Sequence, residues 1–119
     1  MSEDAFELIK LKLRDFAEQR DWDQFHSPIN LAMALNVEAA ELLEHFQWLT
    51  EQQSSSLDAG TLKEVADEIA DIQVYLIRLA DKLGVDIVSS TLEKINKNAE
   101  KYPADKVRGQ SKKYNKYTD

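Results

Sequence analysis

Two pairs of acidic residues, Glu38-x-x-Glu41 and Glu68-x-x-Asp71, lie within stretches otherwise rich in Leu, Ile, Val and Ala. Residues three apart share one face of a helix, so each pair directs two carboxylates the same way out of apolar surroundings. Two carboxylates about 5 Å apart repel by roughly 3 kcal/mol at an effective dielectric near 20. Desolvation adds several kcal/mol per ion. Four converging acids therefore call for a cation. Ligands that are all oxygen point to a hard one, Mg²⁺, with Mn²⁺ as a substitute. The competing reading, a solvated acidic helix face, is the ordinary one for any single pair. Two pairs inside runs as apolar as residues 35–43 and 69–77 weigh toward a metal site. Redox iron is disfavoured, because di-iron bundles use Glu-x-x-His on two helices, whereas His45 follows Glu41 by four positions.

The elements that must position these acids are helical; strand signals are nearly absent. The spacing predicts helices over residues 3–19, from Pro28 to about Leu49, from Thr61 to Gly84, and from Asp86 to just before Pro103. Phe6, Ile9, Leu13 and Phe16 form the expected inner stripe of the first. Ser27 can cap the second, with Pro28 suited to its first position. Thr61-x-x-Glu64 reads as a capping box for the third, unless a turn near Asp58 precedes it. Gly84 is a suitable C-terminal residue, and Pro103 pushes Tyr102 away from helical geometry. Glu38, Glu41 and His45 line one face of the second helix. Glu64, Glu68, Asp71, Tyr75 and Arg78 line one face of the third. Antiparallel packing would let the stripes meet, with Glu64 joining the four acids or standing behind them. Glu44 and Asp67 are expected to face water.

The second helix is apolar almost all round, with Leu31, Leu35, Leu42 and Leu49 on one side and Met33, Val37, Ala40 and Phe46 on others. The simplest account is an obligate homo-oligomer, dimer or tetramer; the alternative places this helix in the middle of one subunit. The expected fold is thus all-α, a four-helix bundle that completes its core by oligomerisation. Residues 1–103 form the helical catalytic domain. A basic tail, 104–119, contributes to the active site or to subunit contacts.

At 119 residues the chain is one domain with a small core. It has no cysteine, so neither disulfides nor thiolate metal sites arise. Its start, Met1-Ser2-Glu3-Asp4, lacks the basic and apolar regions of a signal peptide, and no apolar run reaches membrane-spanning length. The expectation is a cytoplasmic protein with no membrane partner. The net charge of −7 is uneven: from Lys97 onward seven basic residues against three acids give +4, leaving −11 on the preceding part. An acidic body argues against duplex nucleic acid, while a basic end suits phosphate contacts.

The chain resembles the MazG-like all-α nucleoside triphosphate pyrophosphohydrolases, in particular their dCTP pyrophosphatase-like branch. Glu38-Ala39-Ala40-Glu41 and Glu68-Ile69-Ala70-Asp71 match that family's E-x-x-E…E-x-x-D motif. Arg20-Asp21-Trp22, Phe25-His26-x-Pro28-x-Asn30-Leu31, Glu44-His45-Phe46-Gln47-Trp48 and Lys97-Asn98-Ala99-Glu100-Lys101-Tyr102-Pro103 add to the match, which spans roughly residues 5–117. The resemblance implies hydrolysis of a nucleoside triphosphate to the monophosphate and pyrophosphate, with Mg²⁺ held by Glu38, Glu41, Glu68 and Asp71. It favours dCTP or a modified dNTP and oligomers of four-helix units. A triphosphate binds an acidic site only through metal ions; one of the carboxylates, or Glu64, would take the proton of the attacking water.

In that branch the counterparts of Trp22, His26, Trp48 and Tyr75 suit enclosure of the base. Trp22 lies on a polar loop, so it either stacks on a base or caps the bundle end. Trp48 ends an apolar run and equally suits packing. Lys97, Asn98 and Lys101 are the phosphate candidates, with Arg108, Lys112 and Lys113 behind them. The helix dipole is the competing reason for Lys97. For Arg78 an ion pair ranks ahead of a phosphate contact. Phosphoribosyl-ATP hydrolysis and a non-catalytic helical interaction module are the alternative functions.

Overall fold

In a computed structural model of the chain, residues 2–111 are described, with side-chain surroundings from Ala5 onward. Lys112 and Lys113 lie outside the described residues. The elements are α1 (Ser2–Gln19), a 3₁₀ turn (Asp23–Phe25), α2 (Pro28–Glu44), α3 (Glu51–Ser54), α4 (Ala59–Leu83), α5 (Ile87–Lys101) and α6 (Ala104–Val107). No strand occurs among the described residues. The chain divides into two units, one ending at Val85 and one beginning at Asp86.

In the first unit α4 packs against α2 and α1. The side-chain contacts pair His45 with Glu64 and His26 with Arg78, so α2 and α4 run antiparallel. Among the described residues the buried apolar side chains are few: Ala17, Leu31, Val65 and Ile77. On α1 the inward residues are Phe6, Lys10, Leu13 and Ala17. Ile9 and Phe16, expected inside, are exposed. Phe16 is instead taken up by the loop that follows.

That loop begins with a Schellman motif. The Trp22 amide donates to the Ala17 carbonyl at 2.9 Å and the Asp21 amide to Glu18 at 3.1 Å. Asp21 occupies the left-handed position, with φ +52°, where glycine is usual. The apolar contact that accompanies this motif is Trp22 on Phe16, edge to face with centroids 5.7 Å apart. Trp22 therefore has a structural reason for its place that its polar neighbours in sequence conceal. The Arg20 guanidinium covers the same Phe16 ring at 3.6 Å.

Ser27 caps α2 by accepting from the Asn30 amide, with Pro28 at the first position as expected. The helix ends at Glu44, not near Leu49; residues 45–48 are turns. Thr50 is the cause. It is the N-cap of α3, with its hydroxyl accepting from Gln53 N and the Gln53 side chain accepting from Thr50 N. A cap residue needs an extended backbone, so the preceding helix must stop first. The capping box expected at Thr61 is absent. Asp58 caps α4 instead, accepting from the Thr61 amide at 2.8 Å and from its hydroxyl at 3.2 Å. Gly84 ends α4 in the left-handed region, φ +70°.

Both acid-bearing helices keep exposed apolar side chains. Ile29, Met33, Val37 and Leu43 on α2 are more than half exposed, as are Leu62 and Ile69 on α4. In the second unit α5 starts at Asp86, which caps it through the Ser89 amide at 2.9 Å. It stops at Tyr102, before Pro103, and a single helical turn, α6, follows. Leu92 and Ile95 of α5 are exposed. No helix among the described residues is long and apolar enough to cross a membrane.

Candidate metal centre

The antiparallel α2–α4 pair brings three of the four motif acids together. Glu38, Glu41 and Glu68 each place a carboxylate oxygen within 4.8 Å of the others, and all three are half-buried. Asp71, one turn further along α4, is exposed, yet its charge reaches Glu38. Glu44 and Asp67 face water.

The electrostatics of this cluster are those of a site short of positive charge. Glu38 is pushed from 4.5 up to about 7. Burial is the largest cause. Next come the facing carboxylates of Glu68 and Glu41, with which only a protonated Glu38 can hydrogen-bond, and then the charges of Glu41 and Asp71. One oxygen each of Glu38 and Glu68 is fully covered and has no hydrogen-bond partner. Buried carboxylate oxygens are rarely left so. Oxygen-only donors, clustered and partnerless, fit a hard divalent cation.

Glu64 does not join this group. It lies one turn before Glu68 on α4, 3.8 Å from the ring of His45 and 70% exposed. Tyr75 is half-buried on α4. Trp22 and His26 are brought together on the α1–α2 loop, with ring centroids 6.3 Å apart. Trp48, by contrast, is 86% exposed in the turns after α2. Lys97, Asn98 and Lys101 lie on α5, and Arg108 follows α6, all within the second unit.

Asp23 and Lys82 join this end of the site without a motif in the sequence to mark them. Arg78 is buried and donates to Asp23 at 3.1 Å, and Lys82 donates to the same oxygen. This is the ion pair expected of Arg78. The missed signal was the need for an acid: an Arg on the inner stripe of a helix requires a carboxylate partner. Asp23 is held below the usual carboxylate range by its hydrogen bonds to Lys82 and then Arg78. Burial, followed by the Arg78 charge, lowers His26.

The family model of the MazG-like family matches residues 33–116, which include both acidic pairs. This chain belongs to the MazG-like family. Among MazG-like relatives, the dCTP pyrophosphatase 1 of Homo sapiens is 38% identical over 114 residues, covering 94% of this chain and 67% of that protein. That of Bos taurus is 37% identical over 115 residues, covering 95% and 68%. Among solved structures, a pyrophosphatase from Archaeoglobus fulgidus superposes on this MazG-like fold with a TM-score of 0.76 at 38% identity. The match covers 82% of this chain and 90% of that one.

Proposed function

We propose that this MazG-like protein hydrolyses deoxynucleoside triphosphates, dCTP or a modified dNTP foremost, to the monophosphate and pyrophosphate in a Mg²⁺-dependent reaction. The enzyme class, a nucleoside triphosphate pyrophosphohydrolase, follows from the family and its pyrophosphatase relatives. The substrate reading rests on the relatives that carry dCTP in their name. The observation that carries the metal reading is the Glu38–Glu41–Glu68 cluster with its two partnerless buried oxygens.

Glu38, Glu41 and Glu68 would hold the ion, with Asp71 at the exposed edge. Bound Mg²⁺ would neutralise phosphate oxygens, polarise the attacked phosphorus and acidify a water. The chain's own share is to keep three carboxylates converged despite their repulsion and to accept a proton. The candidate base is a carboxylate of the motif that the ion leaves free, with Asp71 at the exposed edge the first to consider. Glu64, paired toward His45, is the weaker candidate. Trp22 and His26, adjacent on one loop, would enclose the base together with Tyr75; Trp48, past the opposite end of α2, would reach a base only from a second copy of the chain. Lys97, Asn98, Lys101 and Arg108 would contact phosphate, and the basic tail from residue 104 would extend that surface.

The exposed apolar rows of α2 (Ile29, Met33, Val37) and α4 (Leu62, Ile69) support self-association, as a dimer or tetramer that covers them.

Replacing Glu41 by Gln tests the metal assignment. Loss of groups behind a ligand costs 10–100-fold, so loss of a ligand should lower turnover of dCTP by more than about a hundredfold. The same change should abolish any rise in melting temperature on adding Mg²⁺. Unchanged turnover and an unchanged Mg²⁺ response would remove Glu41 from the site.

A further inference from the structure

Arg78 is the one charged side chain buried among the described residues, at 4% exposure. A buried guanidinium is costly and stabilises a fold poorly compared with an apolar residue of similar size. Its partners indicate what it does. Asp81, one turn along α4, is 3.9 Å away, but it is already held by a two-pronged contact from Arg14 at 2.6 and 2.7 Å. The charge of Arg78 therefore goes to the loop between α1 and α2. Nη2 donates to Asp23 Oδ1 at 3.1 Å, and Nη2 and Nε lie 3.2 and 3.4 Å from His26 Nδ1. Lys82 reinforces the contact by donating to the same Asp23 oxygen. Asp23 and His26 flank the 3₁₀ turn that follows Trp22.

A guanidinium has donors only. His26 Nδ1 must accept, so its proton resides on Nε2. We infer that Arg78 is a positioning residue for nucleotide selection: it clamps the Trp22–His26 loop onto the helix carrying Glu68, Asp71 and Tyr75 and fixes His26 as the Nε2–H tautomer. Whatever ligand group meets Nε2 must then be an acceptor, such as a base carbonyl oxygen. This inference rests on the reading that Trp22 and His26 contact the base. Because Arg78 acts through these residues and touches none of the clustered acids, its loss should weaken substrate binding and spare the chemical step.

The test compares wild type with Arg78→Lys, Arg78→Met and Asp23→Asn. Long-range ¹H–¹⁵N correlation spectra of the full chain without substrate should give a single Nε2–H tautomer for His26 in the wild type. Arg78→Met should mix the tautomers or shift the proton to Nδ1. Arg78→Lys and Asp23→Asn should raise KM for dCTP on the order of tenfold with kcat within about twofold and an unchanged Mg²⁺ activation midpoint. If Arg78→Met does not fold, the wild-type spectrum and the other two variants decide. A wild-type proton on Nδ1 overturns the inference, as does an unchanged KM in both Arg78→Lys and Asp23→Asn. Trp22→Ala and His26→Ala separate the two readings. If they raise KM while the clamp variants do not, the clamp alone is wrong. If they leave KM unchanged, the base-contact reading fails, and the spectra still report on the tautomer.

Discussion

In the absence of metal, raising the pH should destabilise this fold through one side chain. Glu38 moves from 4.5 to about 7 on folding, chiefly by burial and then by the carboxylates of Glu68 and Glu41. Between those two values the folded chain binds more protons than the unfolded one. Glu38's contribution to stability must therefore fall as pH rises through that window and level off above it, while the lowered His26 works in the opposite direction in both proteins and cancels in their comparison. One pKa unit is 1.36 kcal/mol, so the full span corresponds to at most about 3 kcal/mol, shared with the neighbours that crowd the site. The assay is urea unfolding in EDTA, at fixed protein concentration, from pH 5 to 8, for wild type and Glu38→Gln. Glu38→Gln carries no titrating group there, so its advantage over wild type should grow with pH and reach a plateau near 7. Mg²⁺ should reverse the effect in the wild type, because the ion replaces the proton; its stabilisation should increase up to the same pH. A difference between the two proteins that stays constant from pH 5 to 8 would refute the reasoning, since Glu38 would then not be crowded by acids.

Three further outcomes follow from the packing. Asp21 holds a left-handed backbone that disfavours side chains, so Asp21→Gly should be neutral or stabilising while Asp21→Val should cost 1–2 kcal/mol or more by roughly the usual penalty, read from thermal unfolding. Leu31 is the most covered side chain, at 1% exposure; Leu31→Ala should cost about 2–5 kcal/mol in the same assay. Val37 lies in the exposed apolar row of α2, so Val37→Asp should lower the mass measured by light scattering to that of one chain if this face joins subunits, and should change nothing if it does not.

The acidic centre was legible because spacing survives folding. Glu38, Glu41 and Glu68 converge as an i, i+3 reading on two antiparallel helices requires. The long helices were legible for the same reason, with Ser27, Pro28, Gly84 and Asp86 at their ends. Where two local signals competed, the sequence could mislead. Thr61-x-x-Glu64 has the form of a capping box, but Asp58, three residues earlier, offers a carboxylate to the Thr61 amide and wins. α2 stops at Glu44 although no Gly or Pro marks the spot. Contacts outside the helical repeat were least visible: Trp22 on Phe16 depends on a local backbone turn at Asp21, and the Arg78 contacts with Asp23 and His26 span more than fifty positions.

The proposed reaction depends on a divalent ion held by three clustered carboxylates. Its most direct test is ³¹P NMR of dCTP incubated with the purified protein, once with Mg²⁺ and once with EDTA. The expected products are dCMP and pyrophosphate with Mg²⁺, and dCTP should stay intact with EDTA. Equal turnover in EDTA, or release of orthophosphate and dCDP, would contradict it.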